Sequence, residues 1–221
     1  MRIRALGVLA AALLLLLGLA ASTAQAAPAR RQPGGEQVPT CVRGDWESTG
    51  VVLGRDAPKG FEVSGGDGVT LTIDENGEAT IDFTGMQPAT FEGRAHGQTT
   101  AGFVELRGTA TGTVRTDDAD GSGGLEVAQV TRQDVEVTVV LTEPVNSRPL
   151  DRVPLSDLQQ LAERKGDAMT PEVTYECGDE TLTITMRGQD DDHQDGRDDD
   201  RGGPHHSHEL VWTFERPGAP D

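Results

Sequence analysis

From residue 69 to residue 141 the chain repeats one pattern, an apolar side chain at every second position. Val69, Leu71 and Ile73 alternate with Thr70 and Thr72, and Ala79, Ile81 and Phe83 alternate with Thr80 and Asp82. Val104, Leu106, Gly108, Ala110, Gly112 and Val114 share one face of a longer run. Leu125 to Thr131 forms another, and Val135, Val137, Val139 and Leu141 make the most uniformly apolar face of all. A period of two sends successive side chains to opposite faces of a strand, so each run has one buried and one wet face. Shorter runs of the same kind occur around Phe91, at Leu182, Ile184 and Met186, and at Leu210, Trp212 and Phe214.

Turn residues separate these runs. Glu75-Asn76-Gly77-Glu78 joins two of them, and Asn-Gly between alternating runs predicts a hairpin with a type I′ turn. The acidic, glycine-rich stretch 117–124 predicts a second turn. One segment breaks the pattern. Ser156 and Gln159 form a capping box, Leu158 and Leu161 fall on one face, and Gly166 follows, which predicts a helix over 156–165. Strands on both sides of a lone helix, with no βαβ alternation, argue against a parallel sheet. The expectation is an all-β fold, a single antiparallel up-and-down barrel with one short helix, over residues 41–216.

Small residues at Gly108, Ala110 and Gly112 leave one strand face without bulk. Either the strand coils sharply against a neighbour, or these residues form a wall facing a ligand.

The chain begins with a secretory pattern. Arg2 and Arg4 precede an apolar run from Ala5 to Ala21, and Ala24-Gln25-Ala26 offers a small-x-small cleavage site. Residues 1–26 are read as a signal peptide cut before Ala27, with an uncleaved anchor as the competing reading. The processed protein would then be secreted or extracytoplasmic, with no membrane attachment. Residues 27–40 are rich in Pro, Gly and polar groups and read as an unstructured lead-in; 217–221 form a short tail. The formal charge is −18, and losing Arg2 and Arg4 with the signal would make the remainder −20. Such a balance argues against nucleic acid and anionic membranes as partners. Cys41 and Cys177 are the only cysteines. In an oxidising compartment they make one disulfide, which stabilises by roughly 5 kcal/mol through closure of a loop of about 135 residues.

Both ends of the domain resemble the calycins, the lipocalin-like barrels. Gly44-Asp45-Trp46 has their first-strand G-x-W form, and Trp212-Thr213-Phe214-Glu215-Arg216 ends the last strand in an arginine. The resemblance implies that Arg216 stacks over Trp46 and closes the barrel floor, since a guanidinium on an indole face is a favourable pair. The stretches Cys41 to Trp46 and Tyr175-Glu176-Cys177 are also similar to those of small secreted actinobacterial proteins of unassigned function. The second and third lipocalin motifs are absent, and an interior poor in aromatics argues against a roomy lipid cavity.

Motifs for catalysis are missing: no H-E-x-x-H, G-x-S-x-G or P-loop occurs. No cofactor is implied. Arg43-Gly44-Asp45 is a chance match to the integrin tripeptide, because Gly44 and Asp45 already belong to the G-x-W stretch. The segment 188–208 holds seven aspartates between Asp190 and Asp200, together with His193, His205, His206 and His208. Imidazoles and carboxylates can hold divalent metals, but Asp191, Asp195 and Gly196 fit a calcium-loop frame that fails at His193 and Gly202. A weak metal-binding loop and a solvated disordered loop both remain open. The expected function is a non-catalytic barrel holding a small apolar or amphipathic ligand. Its alternative is an extracellular interaction or inhibitor protein with a solid barrel and functional loops, and a secreted enzyme of unrecognised type is the third reading.

Overall fold

A computed structural model describes residues 38–54, 60–95, 98–117, 121–143, 149–165, 172–188 and 208–218. The alternating runs become strands: β1 (Gly44–Leu53), β2 (Phe61–Ser64), β3 (Thr70–Ile73), β4 (Glu78–Asp82), β5 (Ala89–Ala95) and β6 (Gln98–Thr116). They continue with β7 (Ser122–Glu143), β8 (Leu150–Pro154), β9 (Glu172–Cys177), β10 (Thr181–Gly188) and β11 (His208–Glu215). The helix α1 (Leu155–Lys165) starts one residue earlier than expected, at the fully buried Leu155.

Eight strands close into an antiparallel barrel in chain order, β1-β3-β4-β6-β7-β9-β10-β11 and back to β1. Each pairs with its sequence neighbour among the eight, which is the up-and-down arrangement. The other three strands form an extension outside the expected single barrel. β6 and β7, at 19 and 22 residues, are far longer than a barrel of this size requires. Their overhang pairs with β5 and β8, and β5 in turn pairs with β2. The two apolar runs of residues 125–131 and 135–141 are thus one strand. Register shifts at Thr111/Gly112 and Thr113/Val114 each add one residue to β7, so they cancel and both runs oppose the same face of β6.

The β3–β4 hairpin forms where expected, with a different turn. Among its turn residues only Gly77 has positive φ, at 81°. Its N–H donates to the Asp74 carbonyl at 3.2 Å, and Asp74 N–H donates to Glu78 O at 2.9 Å. That is a type I turn completed by a left-handed glycine rather than type I′. The Asp74 carboxylate explains the choice, because it accepts from the N–H groups of Asn76 (2.8 Å) and Glu78 (2.7 Å) and holds the longer loop.

Two ends result. At one lie the start of β1, the ends of β6, β9 and β11, the start of β7 and the turns 74–77 and 178–180. Val38, inside the expected lead-in, and Val42 are both buried there. At the other end β10 stops at Gly188 and β11 begins at His208, opposite the floor.

Candidate functional site

The floor is assembled around Trp46, which is completely buried. Its Nε1 donates to the Val42 carbonyl at 2.9 Å. Arg216 lies over the ring, with Cζ 4.1 Å from its centroid. The guanidinium donates through Nε to Asp179 O at 2.9 Å, and through Nη2 to Arg43 O at 3.1 Å and Cys41 O at 3.4 Å. First and last strands are therefore locked together by one side chain. A Cβ on Gly44 (φ 112°) would lie 2.6 Å from Nη1, so glycine is needed where the arginine passes. The Cys41–Cys177 bridge, Cα–Cα 5.8 Å, ties the plug to β9. A bridge of this kind fits an oxidising, extracytoplasmic compartment. No helix among the described residues is long and apolar enough to cross a membrane.

Above the floor the barrel holds a partly open cavity of about 140 Å³, walled by β3, β4, β6, β7, β9, β10 and β11 together with Phe83. Its sixteen lining residues include no ionisable side chain, so the cavity suits a neutral, mainly apolar occupant. Small side chains make the room. Ala79, Ala110 and Gly112 face space that leucines would fill, while Trp212, Phe214 and Phe83 supply the aromatic side.

The three small residues singled out on β6 divide. Ala110 and Gly112 line the cavity, whereas Gly108 does not. Gly108 has φ 102°, and a Cβ there would meet the Asp134 carbonyl oxygen. Gly112 serves both purposes, since a Cβ would also run into Gln129 O. Close approach of the β7 backbone accounts for both glycines, and the open wall is chiefly the work of Ala110.

The barrel is least well sealed between β7 and β9. They pair over only Ser122–Gly124 before β7 turns away toward the extension. Val127 and Val173 flank that seam, line the cavity and are only half-buried. No family model matches the chain, nor does any curated protein or solved structure.

Two features of the site were not read from the sequence. Trp212, assigned only to the core, has its Nε1 buried with no hydrogen-bond partner. Gln133 Nε2 is in the same state. An isolated tryptophan in an apolar run carries no signal that its N–H will lack an acceptor. As for the histidines, His193, His205 and His206 lie outside the described residues, and His208 opens β11 through its backbone pairing with Gly188. Among the described residues no group of three or more His, Cys, Asp or Glu side chains could hold a metal.

Proposed function

We propose that this is a secreted, non-catalytic binding protein that carries one small, mainly apolar molecule inside its barrel. The observation that carries the reading is the neutral cavity of about 140 Å³ behind the β7–β9 seam. An apolar cavity of about 150 Å³ stays dry and accepts a molecule the size of benzene, whereas sites for drug-sized ligands run from about 300 Å³ upward. The ligand class is therefore compact, about ten non-hydrogen atoms or fewer. Long acyl chains are excluded by volume. The likeness of Gly44-Asp45-Trp46 and Arg216 to the lipocalin ends supports the same reading, and the secretory pattern of residues 1–26 with the disulfide supports export.

A second reading, an interaction protein whose barrel is effectively solid, is favoured by how far the cavity falls below the usual range. Titration with toluene and with dodecanoate separates the two. Toluene should raise the melting temperature and shift the methyl resonances of Ile81, Val127 and Ile184, and dodecanoate should do neither. A barrel indifferent to toluene would contradict the binding reading. Export is tested by N-terminal sequencing of the protein recovered outside the cells, which should start at Ala27.

A further inference from the structure

Aromatic side chains are scarce in this chain, five Phe, two Trp and one Tyr among 221 residues. Three of these eight, Phe83, Trp212 and Phe214, line the cavity. Trp212 and Phe214 lie on β11, and their ring centroids are 5.7 Å apart. Phe83 follows the last residue of β4, at the end away from the floor, and its ring centroid is 6.2 Å from that of Trp212. The two ring pairs are tilted by 38° and 33°, and together they form one continuous cluster. Met186 on the neighbouring β10 adds a polarisable thioether to the same side.

β6 and β11 are four steps apart in either direction around the eight strands, so they face each other across the barrel. Opposite the rings β6 places Ala110 and Gly112. Large residues facing small ones ordinarily interdigitate and fill a core. Here they do not fill it, and a volume of about 140 Å³ remains. An aromatic ring has a negative face and a positive edge, so offset or tilted ring pairs attract by more than the area they bury. A saturated molecule of the same size gains the burial alone. We infer that the cavity selects an aromatic ring: its ligand is a single uncharged benzene-type ring that joins Phe83, Trp212 and Phe214 as the fourth member of their cluster. Resting on the binding function proposed above, this narrows the ligand class from any compact apolar molecule to monocyclic aromatics. Ala110 and Gly112 leave room for the far side of that ring, because neither side chain extends beyond one carbon.

Benzene and cyclopentane test this, because cyclopentane is no bulkier and size cannot exclude it. Both are titrated in sealed tubes into protein expressed from the full sequence, with the Ala110 and Met186 methyl resonances as reporters. The reference is the ratio in which the two hydrocarbons partition from water into hexadecane, which a wall without ring preference would reproduce. Benzene should bind about tenfold more tightly than that ratio allows, as two ring–ring contacts imply. Phe83→Leu keeps the wall apolar and removes one ring, and it should lower the excess about threefold. The measurement on the unaltered protein stands even if the variant fails to fold. Affinities that follow the partition ratio would overturn the inference and leave an unselective apolar binder. An excess untouched by Phe83→Leu would overturn the role of the ring cluster. Binding of neither hydrocarbon would overturn the binding function as well.

Discussion

The two tryptophans of this chain sit at opposite extremes of the same fold. Trp46, on the first strand, is fully buried with its N–H given to Val42 O and its face covered by Arg216. Trp212, on the last strand, is almost as buried but borders empty space, and its N–H is given to nothing. One indole closes the barrel and the other lines its cavity. The floor is satisfied everywhere and therefore contributes stability. Around the cavity the Trp212 N–H is unpaired and the packing is incomplete, and both cost stability. Such a local cost is expected where a site awaits a partner.

The contrast can be broken first at the disulfide. Replacing Cys41 and Cys177 by serine should remove the largest single contribution, about 5 kcal/mol in the chain-entropy model, read as a lower urea midpoint. Because the bridge belongs to the floor, toluene should still raise the melting temperature of whatever remains folded. Next comes Gly108→Ala, which puts a Cβ against the Asp134 carbonyl at positive φ. It should cost more than about 2 kcal/mol, whereas Ala110→Val, two residues along and facing the cavity, should change stability by less than about 1 kcal/mol. Ala110→Val should instead abolish the response to toluene. A costly Ala110→Val with binding intact would mean that the cavity is misplaced.

The smallest effect concerns the β3–β4 turn. Desolvation pushes the Asp74 carboxyl up, but hydrogen bonds from Glu78, Asn76 and Gly77 outweigh it and hold the group below the usual carboxylate range. A lowered folded-state pKa stabilises above the unfolded value, near pH 4, and the contribution is lost as pH falls through the folded value. Asp74→Asn should flatten the acid limb of the stability profile below about pH 4 and leave binding untouched. An unchanged acid limb would detach the turn from the pH dependence.

Much of the barrel was legible because alternation is a local signal. Leu71, Ile73, Ala79 and Ile81 announce both their strands and their register around Gly77. The long β7 was harder. Gln133 and Asp134 interrupt its period, and only the bulge opposite Thr111 and Gly112 shows that two apolar runs belong to one strand. The extension was not legible either, since β2 and β8 are four and five residues long and take their place from the overhang of distant strands. The Trp46–Arg216 pair came from a resemblance at the chain ends, not from periodicity, and the geometry places the two in contact. The cavity followed least of all. Its volume depends on how eight strands close, and the missing acceptor at Trp212 is a property of three-dimensional surroundings that no spacing encodes.

One substitution made at both tryptophans asks most directly whether the interior divides into a sealed floor and a receptive wall. Trp46→Phe should cost about 2–3 kcal/mol in urea denaturation, because it strands the Val42 carbonyl and leaves a void under Arg216. Trp212→Phe should fall within about 1 kcal/mol of zero, since release of an unpaired N–H offsets the lost volume. Equal losses at the two positions would contradict the division, and with it the role given to the cavity.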